Sequence, residues 1–352
     1  MTTLILSLFF LAAPISAQEK DAEAPPTIKV FLLAGQSNME GHAVADLDHA
    51  EHYNGGRGNL HSVLANETVA KTYGHWLDRE GDWTSRDDVF VSYRPERGPM
   101  KAGPLSIGYA VHQGEHHFGP ELEFGRVMGD HFEEPVLLVK TCWGGKSLME
   151  DFRPPRSGGE VGPFYLKMIE EYREAIAEIG ARFPELRGMK TELAGFVWFQ
   201  GWNDMIDARA TAEYAENMAH FIRDVREDLE APGLPFVIGQ CGVGGETTTN
   251  PKHLRFKEAQ IVPASLPEFE GNVAVVRTDA HWDTEAHEVF ERGWKENPEE
   301  WNRLGSDRPY HYLGSPRTML GVGEAFGEAV LELEALAKEI REEDAADAAP
   351  DL

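Results

Sequence analysis

Three side chains in this sequence have the types that acyl transfer needs: the Ser37 hydroxyl, the Asn203 amide and the His311 imidazole. A hydroxyl can attack a carbonyl carbon if an imidazole takes its proton, and an amide N–H can hold the oxygen that becomes negative. Ser37 sits in Gly35-Gln36-Ser37-Asn38-Met39, directly behind the apolar run Ile28–Ala34. A glycine there permits a sharp turn, so the serine is presented where a strand hands over to a helix. The same position also suits a plain helix cap, because a serine oxygen readily accepts the first free N–H groups. Ser37 alone leaves both readings open.

Its partners must come from blocks of similar form. Val139-Lys140-Thr141-Cys142-Trp143-Gly144-Gly145-Lys146-Ser147-Leu148 is a strand-like run opening into glycines, and Phe196-Val197-Trp198-Phe199-Gln200-Gly201-Trp202-Asn203-Asp204 repeats the pattern with Gly-x-Asn. Tyr310-His311-Tyr312-Leu313-Gly314 precedes the last helical pattern. The Gly144 N–H and the Asn203 amide could serve an oxyanion, or the glycines could serve turns and Asn203 a helix cap. Among 14 histidines, His42, His112, His116, His117 and His281 compete with His311, which is distinguished by its place late in the chain. Asp279-Ala280-His281-Trp282-Asp283 fits either a metal or a buried structural cluster, and Trp76, Trp83 and Trp143 either stack on sugar rings or fill the core.

For these blocks to meet, the elements behind them must form one sheet. Strand-like runs recur at Ile28–Ala34, Val136–Thr141, Gly195–Gln200, Pro235–Gln240 and Val273–Thr278, with helical patterns at Leu122–His131, Phe164–Phe183, Ala210–Leu229 and Ser315–Arg341. Alternation of this kind predicts an α/β domain over residues 27–341, with a mostly parallel sheet covered on both faces. Residues from about 44 to 120, rich in Gly, His, Asp and Arg, break the rhythm and read as a long insertion over the strand ends. Met1–Ala17 has the apolar core and small-residue end of a secretory signal peptide, which predicts export to the periplasm or the extracellular space. A polar leader follows over 18–26, and 342–352 reads as an acidic tail. A formal charge of −27 argues against a nucleic-acid partner, and no later segment predicts stable membrane insertion. Cys142 and Cys241 make no disulfide scaffold and have no zinc-site spacing, leaving one bridge or two free thiols.

The order Gly35-Gln36-Ser37-Asn38-Met39, Trp143-Gly144-Gly145-Lys146-Ser147-Leu148, Gln200-Gly201-Trp202-Asn203-Asp204 and a late histidine resembles the SGNH hydrolase superfamily, most closely its sialate O-acetylesterase and acetylxylan esterase-like branch. The resemblance spans Ile28 to about Leu333 apart from the insertion. It implies a flavodoxin-like three-layer α/β/α sandwich and a serine esterase that removes acetyl groups from carbohydrates, with neither a metal nor an organic cofactor. It implies Ser37 as nucleophile, His311 as base, and an oxyanion hole from the Ser37 and Gly144 N–H groups and Asn203. Gln36 and Gln200 inside the blocks, and Glu121 in Gly119-Pro120-Glu121, are expected at the substrate. Two positions depart from the pattern. Arg308 stands three residues before His311 where many members carry Asp, and Trp202 stands where the branch commonly has Glu. The acid partner is therefore Asp307, a residue of the insertion, or a backbone carbonyl. A carbohydrate-binding protein with weakened catalysis, and a general short-chain carboxylesterase, are the alternative functions.

Overall fold

The computed structural model describes residues 26–47 and 58–347. The expected signal peptide and leader, and the end of the acidic tail, lie outside the described residues. Among the described residues there are nine strands: β1 (Thr27–Gly35), β2 (Ala43–Val44), β3 (Arg86–Tyr93), β4 (Lys101–Leu105), β5 (His117–Phe118), β6 (Val136–Cys142), β7 (Lys190–Phe199), β8 (Phe236–Gln240) and β9 (Val273–Arg277). Seven of them form one sheet in the order β4-β3-β6-β1-β7-β8-β9, while β2 and β5 make a separate antiparallel ribbon. Every pair in the main sheet is parallel except β3–β4 at the edge.

Side chains alternate between the two faces of a strand, and the pairs along β7 show both being covered. Phe196 and Trp198 pack on Phe221 of helix Ala208–Asp228, whereas Phe199 points the other way, onto Phe326 of helix Pro316–Asp347. That last helix lies beside helix Glu121–His131, whose Phe124 meets Phe31 of β1 edge-on at 5.5 Å. Among the described residues the result is the α/β/α sandwich expected, with runs such as Val136–Val139 buried because parallel strands are covered on both sides.

Three differences from the sequence reading have local causes. Part of the supposed insertion belongs to the sheet: β3 pairs with β6 and β4 closes the edge. The signal was short, since only Val89–Tyr93 of β3 is buried, behind the polar Arg86-Asp87-Asp88. The helical pattern 164–183 divides at Glu178 into Pro163–Ala177 and Ile179–Arg182, where Arg187 folds onto Gly180 and donates to its carbonyl. The last helix continues to Asp347 through Glu342-Glu343-Asp344-Ala345-Ala346, in which glutamate and alanine are good helix formers.

The order of strand addition reverses at β1: β6 lies on one side of it and β7 on the other, making its C-terminal end a topological switch point. Gly35 is in register with Cys142 of β6 and with Phe199 of β7, so three strands end side by side. Ser37, Gly144 and Asn203 therefore emerge at one edge of the sheet.

Candidate active site

At the end of β1, Gly35 has φ +148°, and a Cβ there would stand 2.2 Å from the Phe199 carbonyl oxygen. Only glycine fits, which explains the tight turn. Gln36 follows in an extended conformation, and Ser37–Glu40 forms a single helical turn closed by Gly41 at φ +94°. Ser37 is thus the first helical residue, and the cap position is taken by Gln36. The N–H of a first helical residue has no acceptor within its helix and is free for an incoming negative oxygen. The Ser37 side chain is 7% exposed and stands beside the glycine loop, with its Cβ 3.7 Å from where a Cβ on Gly144 would be.

Asn203 is oriented by a short chain of hydrogen bonds. The Gly201 N–H donates to Gln36 Oε1 at 3.0 Å, which fixes the Gln36 amide so that its Nε2 donates to Asn203 Oδ1 at 3.4 Å. The Asn203 carbonyl oxygen is then occupied and its NH2 is left for another acceptor. Asp204, fully buried, accepts the Leu148 and Met149 N–H groups and the Gln200 amide, tying the Gly144 loop to the Asn203 turn. Burial pushes its carboxyl up to about 6 against those hydrogen bonds.

His311 and Asp307 meet in spite of the unusual spacing: His311 Nδ1 donates to Asp307 Oδ2 at 2.9 Å. The backbone makes this possible by folding back on itself. Tyr312 and Leu313 have φ of +50° and +61°, and the Leu313 carbonyl accepts the N–H groups of Ser306 and Asp307. Non-glycine residues hold such angles only where their surroundings impose them. Here Tyr312 is buried, its hydroxyl accepting the Gly242 N–H at 2.6 Å and bonding Thr278 at 2.6 Å. Burial would raise the Asp307 carboxyl, but hydrogen bonds from His311 and His42 and the charge of His311 outweigh it and hold it well below the usual carboxylate range. The Asn38 amide donates to the Tyr310 carbonyl at 3.1 Å, which joins the residue after Ser37 to the residue before His311.

Behind Ser37 lies a buried polar layer. Lys140 donates to Glu121 at 2.8 Å and to the carbonyls of Glu40 and Tyr109. Glu40, 3% exposed, accepts from the Tyr93 hydroxyl and the Gly144 N–H, and burial pushes its carboxyl up to about 7 against these groups and Lys140. The Gly144 N–H thus already faces a carboxylate.

The three residues expected at the substrate have their polar ends bonded within the protein. Glu121 is fully buried on Lys140 and the Gly119 N–H, Gln36 is spent on Gly201 and Asn203, and Gln200 donates to Lys146 and Asp204 and accepts from Tyr214. Their motif positions revealed proximity to the site, but not that their polar ends turn inward to pair with neighbouring elements. Trp76 and Trp143 are buried in the core, and Trp83 donates to Asp46. Instead Trp202 pairs with Tyr310, ring centroids 5.6 Å apart, next to His311. Both cysteines are free and buried.

His42 is the residue that sequence reasoning left among the competitors. Its ring lies on that of His311, centroids 3.8 Å apart and 13° from parallel, and its Nδ1 is 3.2 Å from the same Asp307 oxygen. Ligand atoms of His42, Asp307 and His311 fall within 4.8 Å of one another. Both imidazoles already face the one Asp307 oxygen, at 3.2 Å and 2.9 Å, so the cluster is built around a shared carboxylate.

The parallel sheet thus carries a serine, an asparagine and an Asp–His pair on the turns around one switch point. The chain belongs to the family described as carbohydrate esterase, sialic acid-specific acetylesterase, whose model matches residues 27–291. That range holds Ser37, His42, Gly144 and Asn203 and stops before Asp307 and His311. A probable carbohydrate esterase of Arabidopsis thaliana is 25% identical over 230 residues, covering 64% of this chain and 74% of the relative. A solved Arabidopsis thaliana protein shares the fold at a TM-score of 0.53 and 17% identity over 87% of this chain and 98% of that one. The structure of NanS does so at 0.50 and 17% over 89% and 99%. The family places acetylated carbohydrates as the substrate class and hydrolysis of their esters as the reaction. Among the described residues no helix is long and apolar enough to cross a membrane.

Proposed function

We propose that this chain removes acetyl groups from carbohydrates by a serine mechanism with an acyl-enzyme intermediate. Ser37 Oγ attacks the acetyl carbonyl carbon while His311 takes its proton, and Asp307 holds the imidazole and stabilises its charged form. The tetrahedral oxyanion is met by the Ser37 N–H and the Asn203 amide, with the Gly144 N–H joining to the extent that Glu40 releases it. Collapse breaks the ester bond, and the sugar oxygen leaves with the proton from His311. Water, deprotonated by His311, then attacks the acetyl-Ser37 carbonyl and frees acetate and the serine.

The observation that carries this reading is the 2.9 Å Asp307–His311 hydrogen bond beside the Ser37 turn. The alternative of a binding protein with weakened catalysis draws on the missing acid at Arg308 and on Trp202 in place of Glu; the Asp307 carboxylate on His311 supports the catalytic reading against the first of these. Trp202 and Tyr310, the latter 38% exposed, offer an aromatic face for a sugar ring beside His311. Labelling with a fluorophosphonate, alongside acetate release from acetylated sugars and from acetyl and octanoyl aryl esters, tests the proposal. Modification of Ser37 with preference for acetyl supports it. Acetate release with Ser37 unlabelled contradicts the serine route, and equal use of octanoyl esters favours a general carboxylesterase.

A further inference from the structure

His42 has no role in the reaction as drawn, yet it is built into the Asp–His pair. It follows Gly41, where a Cβ would stand 2.6 Å from Gly119 Cα, and precedes β2, whose pairing with β5 sets Val44 against His117. These two approaches fix the backbone on either side of His42. The ring is 9% exposed, stacks on His311, and shares with it a single oxygen, Asp307 Oδ2, at 3.2 Å and 2.9 Å respectively. Its other ring nitrogen, Nε2, is buried with no hydrogen-bond partner among the described residues. A buried N–H without an acceptor is costlier than a buried lone pair without a donor, so the proton belongs on Nδ1, which stands 3.2 Å from both Asp307 Oδ2 and His112 Nε2.

We propose that His42 is a positioning residue of the hydrolytic site: its Nδ1–H divides the Asp307 oxygen with His311, and its flat ring holds the His311 imidazole in place. This rests on the reading of His311 as the general base. The groups facing His42 are Asp307 and His311 from the turn before the last helix and His112, with Nε2 3.2 Å from His42 Nδ1, from the loop ahead of β5. His117 stands behind His112, ring centroids 4.1 Å apart. Burial and the charge on His311 lower His42 to about 4, against the pull of Asp307, so it stays neutral while His311 gains and loses its proton. A carboxylate oxygen that serves two donors gives less to each. Removing the His42 donor leaves Asp307 to His311 alone and favours the imidazolium form, which cannot act as base.

Two substitutions separate the donor from the plate. His42→Phe keeps a flat ring and loses the N–H; the acid limb of kcat/KM moves to higher pH by about half a unit, the size of one altered neutral hydrogen bond, with kcat at the alkaline plateau nearly kept. His42→Gln keeps an N–H donor and loses the plate; the limb stays, and kcat drops on the order of tenfold at unchanged KM because His311 is less well held. A merely structural role moves neither the limb nor the kcat-against-KM split, and activity then follows thermal stability alone. That result, or two variants that both behave as wild type, overturns the proposal. Histidine ring NMR of wild type and His42→Phe in a Ser37→Ala background reads the His311 titration without turnover. An upward shift there supports the positioning role even if no ester is hydrolysed, a case that would instead overturn the esterase reading. An unchanged His311 titration overturns the positioning role whatever the activity.

Discussion

At the scale of single residues, the site divides into groups that meet substrate and groups that aim them. In the proposed mechanism Asn203 belongs to the first kind, its NH2 turned outward because Gln36 occupies its carbonyl oxygen. Asn203→Ala is expected to lower kcat by about 10²–10³ with little change in KM, the usual cost of one oxyanion donor, measured by steady-state acetate release. Asp307→Asn should cost about 10³–10⁴ in kcat, because an amide cannot hold the tautomer that a carboxylate holds. Ser37, Asn203 and His311 stand out as candidates in the sequence because each follows an apolar run or precedes a helical pattern. The partner of His311 was one of three candidates. Only the left-handed turn at Tyr312 and Leu313 selects Asp307, and no local pattern announces such angles in a tyrosine and a leucine.

At the scale of elements, the register of β1 against β6 and β7 assembles the site, and the polar layer behind it supports Ser37–Glu40. Lys140→Met would leave Glu121 buried without its partner, and a loss of about 3–5 kcal/mol in urea unfolding is expected. Lys140→Met with Glu121→Gln should recover much of it. Glu40 sets a pH dependence of stability. Its carboxyl titrates near 7 folded against 4.5 unfolded, so the folded chain binds the extra proton between those values and Glu40 costs stability as pH rises through that window. Glu40→Gln should therefore flatten the decline in urea midpoint between pH 5 and pH 8. Asp307 acts with the opposite sign: its contribution is present above the unfolded carboxylate value and is lost as pH falls below it. The sheet itself could be read from β1, β6, β7, β8 and β9, which are apolar enough to announce themselves. β3 and β4 could not, since β3 opens with Arg86-Asp87-Asp88 and β4 is Lys101-Ala102-Gly103-Pro104-Leu105, whose place is decided by pairing at the edge.

At the scale of the whole molecule, a formal charge of −27 spread over an α/β/α sandwich makes self-repulsion a standing cost to the folded state. Raising salt from about 10 mM to about 200 mM shortens the screening length to less than the molecule's radius and should raise Tm by a few degrees in calorimetry. What unites sheet, polar layer and Asp–His turn is one claim, that Ser37 is the nucleophile they serve. The direct measurement is acetate release from an acetylated sugar by wild type and by Ser37→Ala, with folding of both checked by circular dichroism. A folded Ser37→Ala variant whose turnover falls by at least about 10³ is the result expected. A folded variant that releases acetate at the wild-type rate would contradict the account.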